Sequence, residues 1–139
     1  MPGPLNPAPL TLFGLAQRGM SAQLVRMNAA SSNLANAGSV ASSAEGTYRP
    51  VRAVFAEEFD RASGLSSVRV SGVMRSSAAP VKEHNPNHPF ADAEGNIWTA
   101  PVDENAEMVE MLDASRQYQN LVEALSTAKQ LMLDTMRMK

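Results

Sequence analysis

Near the C-terminal end of the chain, nine positions from residue 108 to residue 136 follow alternating steps of three and four, and all but Ser115 and Lys129 are apolar or aromatic. This is the spacing of one face of a helix that packs against another helix. Asp103 can cap the start of such a helix, and Glu104 suits the positive end of its dipole. The pattern predicts a helix over residues 103–139. Its apolar stripe contains Met108, Met111, Tyr118, Val122, Leu125, Met132 and Met136, with Leu112 and Leu121 on its flanks.

A weaker stripe of the same kind lies near the N-terminal end. Gly14 and Gly19 fall within it, and each costs roughly 1 kcal/mol relative to alanine in a helix interior. The pattern therefore predicts a helix over residues 10–37 that needs a partner to be stable. Its apolar positions are Phe13, Met20, Leu24, Met27 and Leu34.

The nine prolines of the chain avoid the interiors of both predicted helices, which proline would interrupt. Between the helices, three segments are rich in the β-branched and aromatic residues that are typical of strands. Trp98 is either a binding hot spot or the aromatic residue that anchors these strands to one another. The predicted strands are residues 52–59, 67–74 and 96–99, with turns at Gly64 and residues 84–95 and loops at residues 37–47 and 75–79.

Together these elements predict an α+β fold. Its long N- and C-terminal helices pair as an antiparallel coiled coil, and a small β-rich region lies between them. The apolar stripe of the last helix is wider than a contact with one helix needs, so we expect helices of other subunits to cover the rest. The predicted organisation is a disordered proline-rich stretch at residues 1–9, an assembly domain formed by residues 10–37 and 103–139, and a loop plus a small β-rich domain at residues 38–102.

Composition excludes several functions. A formal net charge of −2, with basic residues spread along the chain, argues against nucleic acid as a partner. No run of about 18 apolar residues occurs, so no membrane-spanning segment is predicted. The chain has no cysteine, and Pro86 and Pro89 interrupt any helix that could align His84 with His88 for zinc. We predict no catalytic, cofactor-binding or metal-binding residue, no cofactor and no small-molecule substrate.

The end of the first predicted helix carries a distinctive motif. Residues 26–37 read Arg-Met-Asn-Ala-Ala-Ser-Ser-Asn-Leu-Ala-Asn-Ala, and Tyr48-Arg49 follows. The motif closely resembles the asparagine-rich signature of bacterial flagellar rod and hook proteins, which is also followed by a Tyr-Arg stretch. Within that family, the proximal rod members resemble this chain further at residues 68–73, 88–95 and 107–118.

The resemblance implies a structural subunit of the proximal rod, which joins the membrane ring and the export gate to the distal rod and transmits torque. It implies contacts with other rod proteins, with copies of the same chain, and with membrane-ring and export-gate proteins. It also implies a location in the periplasmic rod of the basal body, reached through the flagellar type III export apparatus without a cleaved signal peptide. The subunit contacts would use Asn28, Asn33 and Asn36 in addition to the apolar stripes.

The residues by themselves leave other interpretations open. Asparagine and serine near a helix end often only cap it, and Gly38 follows the motif directly. The same apolar stripes would serve a soluble coiled-coil adaptor or an export chaperone. An enzyme in the proline-rich middle would need an acid, base or metal constellation, for which the sequence gives no pattern.

Overall fold

The computed structural model describes residues 11–138, and the predicted disorder of residues 1–9 falls outside them. The described chain has two long helices, with antiparallel strands between them, which confirms the α+β prediction. No described helix is long and apolar enough to cross a membrane. In chain order the elements are α1 (Leu12–Ala35), β1 (Val40–Ala41), β2 (Val51–Asp60), β3 (Leu65–Arg75), β4 (Val81–His84), β5 (Asn96–Thr99) and α2 (Glu104–Arg137).

Side chains cap the starts of both helices. Thr11 Oγ1 accepts a hydrogen bond from the amide of Gly14 at 3.1 Å at the start of α1. Asp103 Oδ1 accepts from the amides of Asn105 and Ala106 at the start of α2, which confirms the predicted cap. These bonds satisfy amides that have no partner inside their own helix.

Strands β2 and β3 form a long two-stranded hairpin. It turns at Gly64, whose φ of +69° falls in the left-handed region that favours glycine. A register shift between Val54 and Phe55 leaves Ser71 of β3 without an opposite residue, and Ser71 Oγ donates to the carbonyl of Val54 at 3.1 Å. The hairpin corresponds to the predicted strands at residues 52–59 and 67–74.

The third predicted strand does not join this hairpin. It is β5, the centre of a separate sheet with the order β1-β5-β4. Strand β1 lies in a segment predicted as a loop and β4 in one left unassigned, because two and four residues are too few to give a clear alternation. Ile97 is the buried residue of β5, whereas Trp98 is half-buried opposite Ala41 and Lys82. Trp98 therefore belongs to the small sheet and not to the hairpin.

The two helices run antiparallel, because the end of α1 contacts the start of α2 and earlier residues of α1 contact later residues of α2. Asn33 of α1 bonds to Glu107 of α2, Arg26 bonds to Glu110, and a Cβ at Gly19 would lie 3.0 Å from Leu121 Cδ1. On α1 the buried residues are small or polar, and they are Ala22, Ala29, Ala30 and Asn33. The prediction that the larger apolar side chains form the centre of the contact between the helices was therefore wrong. Alanine and glycine form the centre because they let two helix backbones approach closely.

Candidate assembly surface

Asn33 lies at the point where α1, β2 and α2 meet, and it has no exposed surface. Its Nδ2 donates to the carbonyl of Val51 at 2.9 Å and to Glu107 Oε2 at 3.1 Å. Its Oδ1 accepts from the amide of Val51 at 2.8 Å and from Tyr48 Oη at 2.9 Å. Every hydrogen-bonding position of the amide is therefore used within the chain. The structure gives Asn33 a role inside the subunit.

Glu107 is the acidic member of the same cluster, and only 1% of its surface is exposed. The guanidinium of Arg52 donates to both of its carboxylate oxygens, with Nη1 at 2.9 Å from Oε2. Arg52 stands on β2, so this ion pair ties the hairpin to α2. Ser32 Oγ and Tyr48 Oη complete the cluster at 2.9 Å from each other. We call Asn33, Tyr48, Arg52 and Glu107 the buried clasp after its two buried members, Asn33 and Glu107; the Arg52 side chain is 52% exposed.

The clasp keeps Glu107 ionised. Burial alone would raise the pKa of Glu107, but the hydrogen bonds from Arg52 and Asn33 favour the carboxylate. Together they outweigh burial, and the pKa of Glu107 lies below its ordinary value of 4.5. The hydrogen bond to Glu107 likewise raises the pKa of Arg52. The pair is therefore charged on both sides at neutral pH.

Arg26 makes the second polar link between the helices. Its Nε donates to Glu110 Oε1 at 2.8 Å and its Nη2 to Asp113 Oδ2 at 2.9 Å. Nη1 donates to Gln23 Oε1 at 2.8 Å, which holds the guanidinium over the helix contact. Both described arginines of α1 are thus engaged within the chain, because Arg18 donates to Ser67 Oγ of the hairpin at 2.9 Å.

The helix pair has one side toward the hairpin and one side away from it. On α1, Arg18 bonds to the hairpin, and Ser32 bonds to the loop that precedes the hairpin. Each of these two residues is followed directly by a residue that contacts α2. One residue corresponds to a rotation of about 100° round a helix. The residues that follow the contact positions Gly19 and Arg26 therefore turn away from the hairpin. Those positions, one after each α2 contact, are Met20, Met27 and Leu34.

The same offset applies on α2. Residues 107, 114 and 121 are seven apart and face α1, and the next residue in each case is rotated by about 100°. The two helices run in opposite directions. The residue that follows a contact position on α2 therefore lies on the same side of the helix pair as the residue that follows a contact position on α1. Met108 and Val122 are 50% and 42% exposed there. We call this side the outer face; it comprises Phe13, Met20, Leu24, Met27 and Leu34 on α1 and Met108, Leu112 and Val122 on α2.

The end of α2 extends past the described part of α1. Since Gly19 lies opposite Leu121, Leu12 comes opposite residue 128, and α1 begins there. Residues 129–137 of α2 are exposed throughout, and we call them the α2 tail. The tail nevertheless contains the large apolar residues Leu131, Met132, Leu133 and Met136. An exposed apolar helix end of this kind is typical of a surface that another chain covers.

Comparison with known proteins gives the chain its family. Residues 93–138 match the family model described as flagellar basal body rod FlgEFG protein C-terminal. Over 127 residues the chain is 38% identical to the flagellar basal-body rod protein FlgC of Salmonella typhimurium, and the match covers 91% of this chain and 95% of that protein. The chain belongs to the FlgC family of flagellar basal-body rod proteins.

Two further FlgC proteins extend this similarity. The Escherichia coli protein is 39% identical over 127 residues, with 91% of this chain and 95% of that protein covered. The Agrobacterium fabrum protein is 29% identical over 122 residues, which are 87% of this chain and 88% of that protein. The FlgC family consists of structural proteins of the flagellar basal-body rod and is not an enzyme family.

In this FlgC-family chain, the residues predicted to contact other subunits fall into three groups. Asn33 is fully buried in the clasp. The half-buried group lies at or beside the contact between the helices or at the end of α1, and comprises Phe13, Met20, Met27, Leu34, Asn36, Met111, Tyr118, Leu121 and Leu125. The exposed group comprises Leu24, Asn28, Met108, Leu112, Val122, Met132 and Met136.

Sequence reasoning missed Glu107 and Arg52 as partners. A signal was present, because Glu107, Ala114 and Leu121 are spaced by seven and form the buried side of α2. For the two histidines, the structure gives local partners: His84 Nδ1 lies 3.2 Å from Asn96 Oδ1, and His88 Nδ1 accepts from the amide of Phe90.

Proposed function

We propose that the chain is a structural subunit of the proximal rod of the bacterial flagellum and polymerises through α1 and α2. In this proposal the two helices form an antiparallel coiled coil that serves as the assembly domain. Residues 38–102 form a loop and a small β-rich domain beside it. The subunit connects the membrane ring and the export gate to the distal rod, and torque passes through it.

One structural observation supports this proposal in addition to the membership of the family. The outer face and the α2 tail expose large apolar residues on the two helices, among them Leu112 at 64% and Met136 at 70%. Chains that stay monomeric rarely expose a continuous apolar surface of this length. A rod subunit would bury it against other rod proteins and against copies of itself.

The buried clasp supports the same role from inside the subunit. A subunit that transmits torque must keep its hairpin fixed relative to its helices. The hydrogen bonds of Asn33 and Glu107 connect β2 to both helices, and a network with every polar group satisfied specifies one arrangement. Export through the flagellar type III apparatus, and a location in the periplasmic part of the basal body, belong to the same proposal.

Deletion and complementation test it. The gene is removed, and swimming is measured while basal bodies are imaged by electron microscopy. The proposal expects a membrane ring without rod or hook, and recovery of both with the intact gene. Normal basal bodies in the deletion strain would overturn it. A soluble partner co-purifying at fixed stoichiometry would then favour an adaptor or chaperone that uses the same outer face.

A further inference from the structure

We infer that the far half of the β2–β3 hairpin is a hinged flap, which bends at the bulge and closes over a cleft between the hairpin and the two helices. The flap consists of residues 55–70, which lie beyond the register shift between Val54 and Phe55, and we call it the distal arm. The movement takes place within a single chain and does not depend on the proposed rod assignment.

The base of the hairpin is held firmly. The amide and the carbonyl of Val51 bond to Asn33 at 2.8 and 2.9 Å, and Arg52 bonds to the buried carboxylate of Glu107. Both β2 residues lie on the base side of the bulge. The clasp therefore fixes the hairpin up to Val54, and a movement of the hairpin relative to the helices has to take place beyond this residue.

The contact that Arg18 makes between the distal arm and α1 is a weaker one. Arg18 Nη1 donates to Ser67 Oγ at 2.9 Å and lies 3.5 Å from Glu58 Oε2. The Arg18 and Glu58 side chains are 42% and 48% exposed. Exposed ion pairs of this kind contribute little to stability, because water and salt screen them. This contact therefore does not prevent the arm from moving.

A cleft of about 430 Å³ lies under the distal arm. Phe55 and Val68 form its wall on the arm, and Gly19, Ala22 and Leu121 form part of its wall on the helices. Phe55 and Val68 are 39% and 48% exposed, so apolar surface from both sides faces the same water-filled space. Closing the cleft removes this surface from water, and the hydrophobic effect therefore favours the closed arrangement.

Arg18 holds the distal arm by the face that is turned away from the cleft. Glu58 and Ser67 stand opposite each other in the hairpin and share one face. Phe55 and Val68 belong to the other face, because successive side chains alternate along a strand. A movement that closes the cleft carries Ser67 away from Arg18. The contact with Arg18 therefore opposes closing.

The bulge supplies the hinge. Ser71 has no residue opposite it, so the pairing of the two strands is interrupted between Val54 and Phe55. A bulge disrupts the hydrogen-bond ladder locally and bends the strand that contains it. An exposed bond from Ser71 Oγ to the carbonyl of Val54, at 3.1 Å, spans this point. The hairpin is therefore easiest to bend where the clasped base ends and the distal arm begins.

An engineered disulfide tests the movement, because the natural chain has no cysteine. No Cα atom of β2 or β3 lies within 8 Å of a Cα atom of α2, whereas a disulfide needs a separation below about 7 Å. The variant Val68→Cys/Gln117→Cys places one thiol on each side of the cleft. Under mild oxidation of the purified full chain, we expect an intramolecular disulfide, measured as the loss of both free thiols at monomer mass.

The matched control is Arg69→Cys/Gln117→Cys. Arg69 follows Val68 directly but belongs to the face that is turned away from the cleft, so this variant should remain reduced. Adding Arg18→Met to the Val68→Cys/Gln117→Cys variant should speed the disulfide about two- to fivefold, because it removes an exposed contact that opposes closing.

Deleting Ser71 tests the hinge. The deletion removes the bulge and leaves the other pairs of the hairpin in register, so the disulfide should form as slowly as in the control. Urea unfolding verifies that each variant folds. If the deletion variant does not fold, Gly72→Val takes its place, because valine stiffens the strand beside the bulge and its side chain has open space there.

Three results would overturn the inference. An equally fast disulfide in the Arg69→Cys control would show general unfolding and not closing. An unchanged rate in the hinge variant would show that the hairpin does not bend at the bulge. Absence of the disulfide, both with Val68→Cys and with Phe55→Cys in its place, would show that the distal arm does not close. None of these results bears on the rod assignment, which the deletion strain tests.

Discussion

Asn33 Nδ2 donates a hydrogen bond to Glu107 Oε2 at 3.1 Å, and this bond joins the asparagine motif of the first helix to the start of the last one. The two residues are 74 positions apart in the chain and both are buried. The same amide also holds the backbone of Val51. The clasp therefore fixes the hairpin relative to the helices, while Met108, Leu112 and Val122 of the outer face remain exposed.

Asn33→Ala is expected to lower the free energy of unfolding by about 2–3 kcal/mol, because it leaves buried Glu107 and the half-buried Val51 and Tyr48 without their bonds to Asn33. The matched control is Asn28→Ala, an exposed position of the same motif, which should change stability by less than about 0.5 kcal/mol. Urea unfolding of both variants measures the difference. Equal losses would mean that the clasp does not stabilise the fold.

The ionised state of Glu107 makes part of the stability depend on pH. Its pKa is lower folded than unfolded, so the unfolded chain binds more protons as the pH falls below the ordinary value of 4.5. The stabilisation is complete above that value and is lost as the pH falls through the lowered pKa. Glu107→Gln should therefore be less stable than the natural chain at pH 7, and the difference in free energy of unfolding between the two should become smaller in acid. Urea unfolding at a series of pH values measures this difference, and a difference that grew in acid would contradict the prediction.

Gly19 allows α1 to approach α2 at Leu121. An added Cβ would lie 3.0 Å from Leu121 Cδ1, so a larger side chain must displace the Leu121 side chain or push the helices apart. Gly19→Leu is expected to destabilise the chain by about 1–3 kcal/mol, as overpacking typically does. Ser21→Leu, at an exposed position of the same helix, should be nearly neutral. Thermal unfolding of the pair tests the contact, which would be disproved by equal melting temperatures.

The bond between Arg26 and Glu110 is expected to contribute more than a typical surface ion pair. The Arg26 side chain is 19% exposed and its Nε lies 2.8 Å from the Glu110 carboxylate. A double-mutant cycle should give a coupling of about 1 kcal/mol. The more exposed pair of Arg18 and Glu58, at 3.5 Å, serves as the control and should couple by less than about 0.5 kcal/mol. A larger coupling energy for Arg18 with Glu58 than for Arg26 with Glu110 would contradict the assigned contacts.

Much of the fold could be predicted from local patterns. Heptad spacing identified both helices, Asp103 marked the start of α2, and Gly64 marked the hairpin turn. These features depend on residues close in sequence. The short strands β1 and β4 could not be predicted, because their pairing with β5 is decided by residues far away in the chain.

The candidate site shows the same division. The apolar stripes were found, but which of their sides is covered depends on the partner helix, and the buried side of α1 consists of three alanines and Asn33. The motif was recognised, yet the role of Asn33 inside the subunit depends on Glu107, and no spacing rule connects residues so distant. Long-range polar contacts of this kind become visible only in three dimensions.

We propose that the chain builds the rod through the outer face of its helices. The most direct test compares Val122→Asp with Thr127→Asp, both exposed on α2 and about 140° apart round the helix, in a strain without the native gene. Rods are imaged in isolated basal bodies, and urea unfolding verifies that both variants fold. Cells with Thr127→Asp are expected to build rods and swim, whereas Val122→Asp is expected to fold normally and form no rod. Normal rods with Val122→Asp would contradict it.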